Sequence, residues 1–162
     1  MVRGRCRCEG FVIRYQQDEE EGGSWERYLL LNKFFNVGET KNWLVDDLSS
    51  QKIVRIQDKS DGSIIRFIPF SRVNKGGDVR IRAKSKMSFE SPQATMATEV
   101  CDNCPPLQAF LLDAFRRKLA AVFELVSPDN QIVVPYASTN LVLLHIRSEE
   151  TGAYFTAEQT KE

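Results

Sequence analysis

The chain has 162 residues, 22 lysines and arginines against 22 aspartates and glutamates, 42% apolar residues, four cysteines and one histidine. That length suits a single domain over residues 1–162 with a real core, and the composition excludes collagen-like, wholly disordered and disulfide-dense classes. No apolar run approaches the ~18 residues of a membrane span and the amino end lacks an apolar signal core, so the expectation is an intracellular chain, cytoplasmic or nuclear.

Taken in order, residues 10–90 read as short strands separated by turns. Residues 11–16 alternate with β-branched and aromatic content, and the acidic run 18–24 (DEEEGGS) breaks them. Residues 27–35 form an apolar strand candidate and 43–45 a shorter one. Residues 52–57 (KIVRIQ) and 63–70 (SIIRFIPF) flank 58–62 (DKSDG), whose Asp and Gly suit a hairpin loop. Pro69 marks the end, a bulge or an edge of its strand, because it lacks a ladder donor. After a turn at 74–78 (NKGGD), residues 78–89 form the next strand.

Residues 91–104 read as a linker that carries a C-x-x-C pair. Residues 105–126 then place Leu107, Leu111, Ala114, Phe115, Leu119, Val122 and Val126 at helical spacing, with proline in the first turn. Phe110, Leu112, Phe123 and Leu125 widen the apolar stripe on both sides. Three closing strands follow at 131–136, 140–147 and 152–157. The expected architecture is α+β and β-rich: an antiparallel meander or barrel-like sheet of about 6–9 strands, one long packing helix at 105–126, then two or three closing strands.

The zero net charge hides a segregation. Residues 52–86 hold ten basic side chains against three acids, an excess of seven that the rest of the chain cancels. Within it, 79–87 (VRIRAKSKM) alternates, so an extended strand puts Arg80, Arg82, Lys84 and Lys86 on one side, about 7 Å apart. Arg55 and Arg66 extend the row into a candidate site for single-stranded nucleic acid or another polyanion. The competing reading is an ordinary solvated strand guarded by cations.

Cys6 and Cys8 form a C-x-C pair, and Cys101 and Cys104 a C-x-x-C pair. Together they have the donor set of one structural zinc, with a disulfide or redox pair and free thiols as the alternatives. His145 lies in an apolar run, where a satisfied strand histidine is the simpler reading than a catalytic base. The glycines at 38 and 76–77 lack the frames that cradle phosphates, so no nucleotide cofactor is expected. The function expected from the sequence is a non-catalytic binding or assembly module with a cationic strand face. The alternative is an adaptor subunit that docks on a protein partner, or on its own copy, through the helix at 107–126; an enzyme without a recognisable motif stands third.

Overall fold

The computed structural model describes residues 11–16, 24–32, 35–41, 44–53, 56–69, 79–130 and 132–160. Two strands, β1 (Phe11–Gln16) and β2 (Ser24–Leu29), form an antiparallel ribbon. After a single helical turn α1 (Val45–Leu48) come β3 (Ser63–Pro69), β4 (Ile81–Ser85), α2 (Pro92–Asp102), α3 (Pro105–Arg116), β5 (Leu119–Val126) and β6 (Asn140–Ser148). The last four strands make one antiparallel sheet in the order β4-β3-β5-β6.

Strand alternation divides the sheet into two faces. Ile65 and Phe67 of β3, Ala83 of β4, Ala121, Phe123 and Leu125 of β5 and Ile146 of β6 form the core with Ala97 and Cys101 of α2 and Leu111 of α3. The rings of Phe67 and Phe123 meet edge to face at 5.6 Å, and Phe110 of α3 caps Phe123 at 6.5 Å. Arg66, Ile68, Lys84, Val122, Glu124 and Arg147 occupy the alternate positions and are buried too. There, two guanidiniums anchor the chain that leaves β2. Arg66 donates to the Leu29 carbonyl and to Glu149, while Arg147 donates to the Leu30 carbonyl at 2.6 Å and to Asn32 at 3.0 Å. Buried charges are tolerated when they are paired and hydrogen-bonded in this way.

The α+β class stands, whereas the barrel-like sheet of 6–9 strands does not: among the described residues the main sheet has four strands, in an open order. The expected helix at 105–126 ends at Arg116, and 119–126 is instead the central strand β5. Lys118, with φ of 54°, turns the chain between them. Seven of the eight β5 residues are buried, because helices cover one face and the anchored segment the other. A run buried on both sides shows no strand alternation, and its apolar residues happened to continue the helical spacing. The expected linker at 91–104 contains helix α2, capped by Ser91, whose Oγ accepts from the Ala94 N–H at 3.2 Å, with Pro92 in its first turn. Residues 132–136 form no strand, and of 152–157 only Tyr154 bridges to Arg147. Among the described residues of 52–57 there is no strand, and 45–48 is helical rather than extended. Among the described residues, no helix is long and apolar enough to cross a membrane.

Candidate functional site

The loop that precedes β3 is held by unusually specific contacts. The Asp61 carboxylate accepts the N–H groups of Val133 at 2.5 Å and Val134 at 2.8 Å, and the Asp61 N–H donates to the Tyr136 hydroxyl at 3.0 Å. The two backbone donors pull the Asp61 carboxyl below its ordinary range. The next residue must be glycine on steric grounds, since a Cβ at Gly62 would lie 2.1 Å from the Leu125 carbonyl oxygen. That close approach lets the Gly62 N–H reach Glu124 of β5. Asn130, in the turn after β5, ties the same corner together, donating to Ser63 Oγ at 3.1 Å and to the Leu125 carbonyl at 3.2 Å.

Glu124 is 8% exposed and lies in a strand otherwise made of apolar residues. Burial pushes its carboxyl above the usual carboxylate range, against the lowering effect of the Gly62 N–H and of the nearby Lys59 ammonium. Beside it opens a cavity of about 490 Å³, lined by Gly62, Ser63, Ile64, Ser85, Lys86, Met87, Ser91, Gln93 and Glu124. Its walls are thus the start of β3, the end of β4 and the amino terminus of α2, where N–H groups and the helix dipole favour an anion. Lys59 is exposed, three residues before the Gly62 edge of the cavity, and its charge acts on both Asp61 and Glu124.

The cationic row fares differently. Strand β4 spans only Ile81–Ser85, so Arg80 and Lys86 lie beyond its ends, both exposed. Lys84 is buried, and its ammonium donates to the carbonyls of Ser85 and Lys86 at 3.0 Å each. Arg82 is half-buried with its guanidinium 5.9 Å from the Phe89 ring centre, and Arg66 is fully buried on the next strand. Arg55 lies outside the described residues. The structure therefore brings Lys86 to the cavity and commits Lys84 and Arg66 to the protein's own carbonyl and carboxylate groups.

Cys101 is wholly buried in the core, where desolvation pushes its thiol up to about 11, and Cys104 stands at the start of α3. Cys6 and Cys8 lie outside the described residues. Among the described residues, no group of three or more His, Cys, Asp or Glu side chains is placed to hold a metal ion. His145 is half-buried on β6, its ring edge to face with Tyr154 at 5.3 Å.

Lys59, Asp61, Gly62 and Glu124 are residues that sequence reasoning did not single out. Two signals pointed to them. Lys59 to Gly62 precede an alternating strand, which the hairpin reading absorbed as turn chemistry, and Glu124 is a lone acid in the middle of LAAVFELV. A buried acid in an apolar strand needs a partner or a task.

An anion-receptive cavity with an amine, Lys86, and a perturbed carboxylate, Glu124, in its wall is the kind of site that handles phosphate groups. Comparison with known proteins specifies the class. A family model described as RNA ligase matches residues 28–162. The chain is also 29% identical over 131 residues to a protein of Thermovibrio ammonificans named "Putative RNA ligase", across 81% of this chain and 32% of that protein. The chain belongs to the RNA ligase family, and it spans about a third of the length of that relative. Family membership overturns the expectation of a non-catalytic binding module or docking adaptor.

Proposed function

We propose that this chain forms part of the reaction centre of an enzyme that joins RNA ends, with Lys59 as its nucleophile and Glu124 as its proton acceptor. Joining a phosphate to a hydroxyl in water requires a leaving group on phosphorus. The group must come from a reactant with a phosphoanhydride bond, passed on through an activated phosphoryl carrier. An amine can serve as that carrier. Lys84 is committed to two carbonyls, and Lys86 lines the wall, whereas Lys59 acts electrostatically on two carboxylates with no described hydrogen bond on its ammonium. Attack by the Lys59 nitrogen forms a P–N bond, expels the anhydride's remaining phosphate, and leaves a proton for Glu124, whose raised pKa makes it the better base of the two acids. Asp61, spent on the Val133 and Val134 N–H groups, positions the loop that carries Lys59. Lys86 and the amino terminus of α2 neutralise charge that develops on the phosphate.

The observation that carries this reading is a cavity walled by Gly62 and Glu124, with the Lys59 charge acting on Glu124 from the same loop, in a chain of the RNA ligase family. Assay of 5′-phosphorylated single-stranded RNA with nucleoside triphosphates tests it. Wild type forms joined product, and Lys59→Ala lowers the rate by on the order of a thousandfold or more, as loss of a nucleophile does. Equal rates would exclude Lys59 from the chemistry.

A further inference from the structure

A second cavity, about 250 Å³, opens between β2, the carboxyl end of α3 and the turn after β6. Its wall includes Arg27, Tyr28, Arg66, Lys118 and Glu149. Arg66 is 1% exposed, with one terminal nitrogen on the Leu29 carbonyl and the other on Glu149. Its Nε has no hydrogen-bond partner. A buried donor left unmatched costs free energy.

The one acid in the wall is not its acceptor. Glu149 gives one oxygen to Arg66 and the other to the Leu29 N–H at 3.1 Å. Arg27 and Lys118 are both exposed and add two cations to the wall. Lys118 holds a left-handed φ of 54°, a conformation that glycine adopts without strain and a lysine does not. This is the position just past the Arg117 cap of α3, where a left-handed residue commonly ends a helix. The Lys118 ammonium also offsets the partial negative charge at the end of α3.

We propose that this second cavity binds a phosphate of the RNA strand; the inference rests on the RNA-joining function proposed above. It lies beside Pro69 at one end of β3, whereas the first cavity lies beside Gly62 to Ile64 at the other. The lining residues on this segment, Gly62 to Ile64 and Arg66 to Pro69, are two to seven residues apart, about 7–24 Å at 3.4 Å per residue. The second cavity holds the strand away from the joint, and Arg27, Arg66 and Lys118 surround the phosphate.

The test is binding of a fluorescent single-stranded 12-nucleotide RNA at ~50 and ~200 mM salt. Arg27→Glu with Lys118→Glu alters exposed side chains, and its Tm confirms that it folds. Affinity should fall tenfold or more at the lower salt, and the salt slope should lose about 0.7, the share of one phosphate contact. Reversal of two exposed cations outside both cavity walls, Lys41→Glu with Lys52→Glu, should cost less than about twofold. RNA with a 5′-hydroxyl and RNA with a 5′-phosphate separate the sources: an equal loss on both assigns an internal phosphodiester, and a loss confined to the second assigns the terminal phosphate. If both paired variants bind like wild type, or weaken binding equally, the second cavity is not a phosphate site while the RNA-joining function stands. If wild type binds no RNA, both fall.

Discussion

Asp61 and Glu124 meet at the same corner of the sheet yet are driven to opposite ends of the carboxylate range. Asp61 is lowered by two backbone N–H donors, and Glu124 is raised by burial. Separation of two nearby acids by environment is how a site assigns one to structure and the other to proton transfer. It sets the pH behaviour of both rate and stability.

For the rate, a protonated Glu124 cannot accept the proton of Lys59. Joining activity should therefore fall on acidification through a pH above the ordinary carboxylate range, and Glu124→Gln should lower the rate by about 10²–10³ and abolish that acid limb. A profile in which wild type and Glu124→Gln share the same limb would assign the base elsewhere.

For stability the two acids act with opposite sign. A raised carboxyl in the fold contributes stability below its unfolded pKa that is lost as pH rises through the folded one, so Glu124 opposes folding at pH 7. Glu124→Gln should show a higher Tm than wild type at pH 7, and the difference should vanish near pH 4. Asp61 is the reverse case: its contribution is present above the unfolded value of 3.8 and is lost below it. Asp61→Asn should lower the Tm at pH 7 and lose less stability than wild type below pH 4. Thermal scans of the three proteins across that range check both signs.

Gly62 has no room for a side chain, because the Leu125 carbonyl occupies the place of its Cβ. Gly62→Ala must push the loop away from β5, break the Gly62 N–H contact with Glu124 and displace Lys59. The expected outcome is a loss of about 2 kcal/mol or more in urea denaturation together with loss of joining activity. A variant of wild-type stability would show that the approach of the two backbones is looser than described.

Arg66 and Glu149 form a nearly dry ion pair, with side chains 1% and 15% exposed, and that pair holds the chain leaving β2. Glu149→Ala leaves a buried guanidinium with only the Leu29 carbonyl, and about 3 kcal/mol of destabilisation is expected. Adding Arg66→Met should recover most of it, because the uncompensated charge is then gone. A change below ~0.5 kcal/mol in the single variant would contradict the importance of the pair.

The sequence made some of this legible and hid the rest for physical reasons. Strands at 11–16, 63–69 and 140–148 were plain, because each couples alternation or β-branched content to a clear turn. The β5 strand was not, since burial on both faces removes alternation, and Phe123, Leu125 and Val126 continued a helical stripe begun by Leu107 and Leu111. Helix α2 hid because its buried residues are two alanines and a cysteine, too small to mark an apolar face. The site hid in the same way. Its glycine and aspartate matched ordinary turn chemistry, and their task appears only when β5 places Glu124 and Leu125 against them. The cationic row expected over 79–87 keeps only Arg82 and Lys84 within β4, and which cations stay exposed depends on Phe89, the Ser85 and Lys86 carbonyls and Glu149, partners fixed only by the fold.

The most direct test of the central claim is transfer of a radiolabelled phosphoryl group from nucleoside triphosphate to the protein, followed by peptide mapping of the labelled residue. The expected result is acid-labile label on the peptide containing Lys59, absent from Lys59→Ala and slowed in Glu124→Gln. Label on any other residue, or full labelling of Lys59→Ala, would contradict the assignment of this loop and cavity as the reaction centre.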